Sequence, residues 1–288
     1  MRRALAIAAT LVCVASAAFA AEPPAEAVLA TLPFLGAVED VAAEVRVDLA
    51  PEGARSLPLL LDTGSPDSFA TPRAAQDLGI SLRRSKQTPY RRATRLGRDL
   101  ALTVDTRRGE QAAAQGGEWA VVGGRFLASY VLEIDVPARR VRFLDPERFE
   151  VPEKSDAANE DVLPIRLVNN RPIVQIEVGA ARVPAAISTG APGTLLLPGG
   201  HAADAGLEPD PGAPAEIAPM AGAGRLEPKL APRIRIGKFE TSGVPVLVAE
   251  HGAQGAGPKS DAILGLELLQ RFAIRIDYPR RRLWIAER

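Results

Sequence analysis

Apolar and polar residues alternate along VAAEVRVDL (41–49), PIVQIEVG (172–179) and PRIRIGKF (232–239). A period of two marks strands that bury one face. VLEID (131–135), Pro137 and RRVRFL (139–144) predict a hairpin. Helical spacing is confined to short stretches, near 73–78 and 200–205, and again at 124–129 and 266–271. With 25 glycines and 25 prolines breaking up the remainder, the expected class is all-β with few short helices. At the N-terminus the pattern differs. Arg2 and Arg3 precede an apolar run from Ala4 to Ala17, too short to cross a bilayer, and Ala18-Phe19-Ala20 follows. That is the layout of a secretory signal peptide, with cleavage expected after Ala20 and export to the periplasm or the medium.

The chain also repeats itself. VVGGRFLASYVLEIDVPARRVRFL (121–144) aligns without a gap to ILGLELLQRFAIRIDYPRRRLWIA (263–286), at a constant offset of 142 residues. Gly123 meets Gly265 and Asp135 meets Asp277. Upstream, LPLLLDTGSPDSFATP (57–72) aligns with VPAAISTGAPGTLLLP (183–198), each followed by an alanine-rich stretch that ends in glycine and an aliphatic residue. Three blocks in the same order indicate a duplication. The expected organisation is a signal peptide at 1–20, an N-terminal extension at 21–34, a first lobe at 35–148, a linker at 149–162 and a second lobe at 163–288. The polar run 145–161 supports the linker.

Composition narrows the chemistry. Cys13, the only cysteine, lies within the signal segment, so the mature chain has no thiol for disulfides or catalysis. His201 and His251 are isolated in alanine- and glycine-rich surroundings, which argues against a histidine metal site or a histidine triad. Neither a metal nor a cofactor is implied. The mature chain carries a net charge of −2 and has no further apolar run long enough to cross a membrane.

The motif with chemical content is Asp62-Thr63-Gly64-Ser65, delivered by the apolar run Leu59-Leu60-Leu61. An apolar strand, an x-Thr-Gly turn, a short helix and a strand ending in two aliphatics and a glycine (121–123, 263–265) recur in both units. In this the sequence resembles the aspartic proteases, most closely the retropepsin-like families, with two tandem lobes arranged as in a pepsin-type single chain. The resemblance implies two retropepsin-like β-barrel lobes related by a pseudo-twofold axis. It implies a dyad of aspartates, one from each lobe, sharing one proton so that one activates water while the other polarises the scissile carbonyl. By resemblance Asp62 is the catalytic carboxylate, Thr63 bonds across the axis, Gly64 permits close backbone approach and Ser65 donates to the outer carboxylate oxygen. Gly123 and Gly265 are the structural glycines behind the site.

The second unit departs from that pattern. It reads Ser188-Thr189-Gly190-Ala191, with serine where the second aspartate belongs. A serine hydroxyl is neither a base near neutrality nor a charge that shifts its partner, and Ser188 lacks a nucleophile elbow. The flap stretch also differs between units. MAGAGRLEP (220–228) suits a hairpin tip in the second. The corresponding part of the first is basic, with Arg83, Arg84, Lys86, Arg91, Arg92, Arg95 and Arg98 and no acid among them. A solvated loop is the simpler account of that run, a surface for acidic peptides the sharper one; nucleic acid is not indicated, since the run has no aromatic platform. Three functions fit: an endopeptidase formed by a homodimer through two copies of Asp62, a single-carboxylate enzyme using Asp62 beside Ser188, or a pseudo-peptidase that binds extended peptide without cutting it. The expected partner in each case is a peptide or protein.

Overall fold

The structure, a computed structural model, describes residues 22–33, 48–49, 59–78, 90–96, 100–105, 108–111, 120–136, 138–191, 193–213, 225–249 and 261–287. The signal segment, Cys13, His251, Arg83, Arg84, Lys86, Arg98, most of the strand at 41–49 and the start of the flap stretch at 220–228 lie outside these residues. Arg91, Arg92 and Arg95 fall on the strand Tyr90–Leu96, which pairs antiparallel with Leu100–Asp105.

Among the described residues strands dominate and form three sheets. Each lobe contains the same crossed loop. In the first, Leu59–Leu61 runs parallel to Ala120–Val122, which lies antiparallel to Phe69–Ala70. In the second, Ala181–Ile187 runs parallel to Ala262–Leu264, which lies antiparallel to Leu195–Pro198. The inner strands of the first lobe are short and apolar, as strands covered on both faces must be; Leu59, Leu61, Ala120 and Val122 are fully buried. Thr71-Pro72 starts the first helix, Pro72–Asp77, with the Thr71 hydroxyl accepting from Ala74 N and proline where a helix loses no hydrogen bond. Gly124–Leu127 and Leu266–Leu269 bury Phe126, Leu127, Leu266, Leu268 and Leu269 beneath the two loops.

The third sheet joins the lobes. Its order is Val28–Pro33, Arg140–Leu144, Val131–Asp135, Phe272–Asp277, Arg282–Glu287, Glu160–Pro164. Each lobe contributes three strands, and the central pair, Val131–Asp135 with Phe272–Asp277, consists of repeat equivalents lying antiparallel. The two hairpins flanking the seam turn alike. Arg139 and Arg281 both take left-handed φ, 50° and 57°, and in each turn an aspartate accepts from the backbone three residues on: Ala138 N to Asp135 Oδ1 at 3.1 Å and Arg280 N to Asp277 Oδ1 at 2.9 Å. That local carboxylate contact is what lets a side-chain-bearing residue follow in the left-handed region.

This sheet bears on three expectations. Within the N-terminal extension expected at 21–34, Val28–Pro33 is the outer strand of the first lobe's half, paired with Arg140–Leu144. The linker is shorter than 149–162, because Val151 is buried and Glu160–Pro164 is the outer strand of the other half. Both segments are edge strands of this sheet, pairing with Arg140–Leu144 and Arg282–Glu287. The strand read at 232–239 is two strands, Leu226–Ile236 and Phe239–Ala249, divided at Gly237 (φ 57°), where alternation continues across a tight turn.

Ile274 faces Ile134 across the seam and both are fully buried. Ile274→Ala is expected to lower unfolding free energy by about 2–5 kcal/mol, measured by denaturant titration. A loss below about 1 kcal/mol would show that the seam contributes little to the fold.

Candidate active site

The parallel strand pairs in the two lobes end at the same place. Asp62 N donates to Val122 O and Ser188 N to Leu264 O, each at 3.0 Å, so the two x-Thr-Gly turns leave their sheets facing each other. Four hydrogen bonds lock them. Thr63 N donates to Thr189 Oγ1 (3.1 Å), and Thr189 N to Thr63 Oγ1 (3.2 Å). Thr63 Oγ1 donates to Ile187 O and Thr189 Oγ1 to Leu61 O, both at 2.7 Å. Both threonines are fully buried, so each hydroxyl acts as donor and acceptor at once with no water to replace a missing partner. Close approach requires glycine on both sides. A methyl group on Gly64 would overlap the Ser188 side chain, and one on Gly190 would lie 2.5 Å from Asp62 Cγ.

Asp62 is half-buried on the axis. Its Oδ1 accepts from Gly64 N at 2.8 Å, Ser188 Oγ at 2.9 Å and Gly190 N at 3.2 Å. The third bond follows from the serine. Pseudo-symmetry would direct Gly190 N to a carboxylate at position 188, as Gly64 N serves Asp62; with a hydroxyl there, the amide reaches across the axis instead. One carboxylate oxygen thus receives the donors of both turns, and among the described residues Oδ2 has no hydrogen-bond partner. A dyad with a shared proton cannot form in this arrangement.

Gly123 sits directly behind the first turn. A methyl group there would meet the Asp67 and Ser65 carbonyls, and Gly123 N donates to Ser68 Oγ at 3.0 Å. Gly265 occupies the equivalent place, its amide bonded to Thr194 O at 2.9 Å. Ser65 departs from expectation. Its hydroxyl donates to Asp67 O at 2.8 Å rather than to the outer carboxylate oxygen, because the turn continues through Pro66 and brings that carbonyl nearer. Alanine at the equivalent position, Ala191, has no donor to offer. His201 lies on the helix Gly199–Ala202, while the Ser188 hydroxyl is engaged by Asp62. No group of three or more His, Cys, Asp or Glu side chains suited to a metal occurs among the described residues.

A model of the aspartyl protease family matches residues 174–268, which begin in the second lobe's strand Arg171–Val178 and end in its helix Leu266–Leu269. The second lobe is similar to that family's model over these residues. The chain's similarities include a retropepsin-like aspartic protease from Rickettsia conorii, 19% identical over 44% of this chain and 90% of that one, with a TM-score of 0.31. They also include Basic 7S globulin from soybean, 12% identical over 90% of this chain and 94% of that one, with a TM-score of 0.47. No curated protein matches the sequence. The matched residues include the serine-bearing turn Ser188-Thr189-Gly190.

Two features of the site escaped sequence reasoning. The amide of Gly190 carries no side-chain signal, and only the facing of the turns aims it at Asp62. Tyr278, in the repeat where the first lobe has Val136, is fully buried, and its hydroxyl has no partner among the described residues. Burial pushes its pKa above the ordinary tyrosine range, and the negative charge of Asp62 adds to the shift.

Thr189→Val would remove an acceptor for Thr63 N and a donor to Leu61 O in a dry site. The expected loss is about 2–4 kcal/mol of stability, against near-neutrality for Thr189→Ser, read from denaturation midpoints. Equal stability of the valine and serine variants would mean that the four-bond lattice is not what joins the turns.

Proposed function

We propose that this chain is a peptide-binding protein built on the aspartic-protease fold, in which the two lobes are retained and the hydrolytic dyad is lost. The observation that carries this reading is the 2.9 Å hydrogen bond from Ser188 Oγ to Asp62 Oδ1. Peptide hydrolysis on this scaffold needs one carboxylate to take a proton from water and a second, protonated carboxyl to polarise the scissile carbonyl. Ser188 supplies neither, and its proton is already committed to Asp62. In this reading an extended peptide would lie across the two turns and add its backbone to a strand edge.

A second reading keeps a specific observation in its favour. Asp62 Oδ2 is free of partners among the described residues, so a water molecule placed there could be deprotonated by one carboxylate alone, giving slow hydrolysis without an acid partner. Endopeptidase activity through a homodimer is a weaker fit, because it requires Asp62 to leave Ser188 and the Thr63–Thr189 lattice to break. Export through the N-terminal segment belongs to the same proposal and places the peptide partner in the periplasm or outside the cell.

Purified mature protein, assayed on a peptide library across pH, separates these readings. Wild type is expected to retain peptides with little or no cleavage. Ser188→Asp is expected to create acid-range peptidase activity with a bell-shaped pH profile in a monomer, since the new carboxylate would face Asp62 and the two would titrate as a coupled pair. Asp62→Asn should abolish that activity in the double variant and any trace of it in wild type. Efficient cleavage by wild type that survives Asp62→Asn would overturn the assignment of the site. For export, intact-mass measurement of the secreted protein should give a chain beginning at Ala21; retention of Met1 would refute cleavage.

A further inference from the structure

The strand pair at the centre of the inter-lobe sheet has a property that follows from the duplication. Val131–Asp135 and Phe272–Asp277 are repeat equivalents at an offset of 142 residues, and they pair antiparallel with Leu132 facing Ile276, Glu133 facing Arg275 and Ile134 facing Ile274. Glu133 and Arg275 are therefore each other's counterparts and sit on the pseudo-twofold axis itself. In a symmetric pairing of two identical lobes the residue at this position would meet its own copy.

Around this position the interface does not distinguish self from non-self. A first lobe pairing with another first lobe would set Leu132 against Ile134, in place of Ile276 and Ile274, an exchange of one aliphatic side chain for another. Val131 would face Asp135 where it now faces Asp277, so that contact too is unchanged in kind. The axial position is different. Glu133 and Arg275 have side chains 1% and 3% exposed, with Arg275 Nε 2.8 Å from Glu133 Oε2. The other Glu133 oxygen takes the Nε of Arg142, which is 5% exposed and also pairs with Glu22. Arg275 lies over the rings of Trp284 (4.8 Å) and Phe149 (5.2 Å). Trp284 is the repeat counterpart of Arg142. The first lobe thus brings an acid flanked by a base, and the second a base flanked by aromatic faces.

We propose that the Glu133–Arg275 pair makes the two lobes recognise each other rather than copies of themselves, and so commits Asp62 to face Ser188 in every folded molecule. Paired first lobes would bring two buried Glu133 carboxylates together. Arg142 would satisfy one oxygen of each and leave the other against a like charge. Paired second lobes would bury two Arg275 guanidinium groups against each other, because the strand's one carboxylate, Asp277, is already held by Val151 N and Arg280. Both arrangements strand a buried charge, the situation in which ion pairs matter most. The balance around Arg275 fits: burial lowers its pKa and the Glu133 carboxylate works against that, whereas Arg142, buried but held by both Glu133 and Glu22, is kept above its ordinary value. In the homodimer through two copies of Asp62 this residue pair is a second obstacle, beside the bonds that join the two turns.

The test cuts the complete chain at a protease site placed at exposed Lys154 and reads lobe composition by native mass spectrometry. Cut wild type should hold one first lobe per second lobe, with mixed pairs in at least about tenfold excess over like pairs. Glu133→Leu/Arg275→Leu removes both charges while Arg142 keeps Glu22, and should fold but yield like-lobe pairs beside mixed ones. In the intact chain, Arg275→Glu should lower the melting temperature by roughly 10 °C, with the double leucine variant much closer to wild type. Like-lobe pairs from cut wild type would overturn the proposal. So would exclusively mixed pairs from the double leucine variant, or an Arg275→Glu chain that melts as wild type does.

Discussion

The reciprocal bonding of Thr63 and Thr189 is the constraint around which the molecule is organised. Each hydroxyl accepts from the opposite backbone amide and donates to the carbonyl preceding the opposite turn, so neither turn is complete without the other. Burial makes the arrangement unforgiving, because a hydroxyl or amide stranded in a dry site keeps its full desolvation cost. Both glycines follow from it, since the separation that closes four hydrogen bonds leaves no room for a methyl group on either side. So does the position of Asp62, which the strand Leu59–Leu61 delivers to the axis.

The serine at position 188 is accommodated locally. The Gly190 amide that pseudo-symmetry assigns to position 188 has moved its bond to Asp62 Oδ1, and the Ser188 hydroxyl fills the remaining gap. The Gly190 amide and the Ser188 hydroxyl both have partners. The facing of the turns depends on the threonines and glycines, and does not require a carboxylate at position 188. The inter-lobe sheet has diverged in a complementary way. Position 133 and its repeat 275 carry opposite charges, and neighbouring positions 142 and 284 have become arginine and tryptophan, so a seam with twofold geometry has lost twofold chemistry.

Much of this was legible in the chain. Alternation in 172–179, the apolar run before Asp62 and the gapless offset of 142 residues indicated an all-β, duplicated fold with one aspartate-bearing turn and one serine-bearing turn. The failures have physical causes. Alternation does not stop at a tight turn, so 232–239 read as one strand although Gly237 divides it. Polar composition marked 149–162 as a linker, yet Glu160–Pro164 is an edge strand, where one face meets solvent and polar residues are tolerated. Ser65 was given a carboxylate partner by resemblance, and the path through Pro66 gives it the Asp67 carbonyl instead.

The sequence by itself determined the repeat, the strand-rich class, the x-Thr-Gly turns and the absence of a second aspartate, because these depend on residue type and on spacing along one chain. Tertiary structure alone decided where the donors of Gly190 and Ser188 go, that residues 28–33 and 160–164 close the two ends of a shared sheet, and that Glu133 lies opposite Arg275. Those facts depend on register between segments more than a hundred residues apart. Periodicity reports which face of a strand is buried, but only the pairing of the strands determines which charge meets which across the axis.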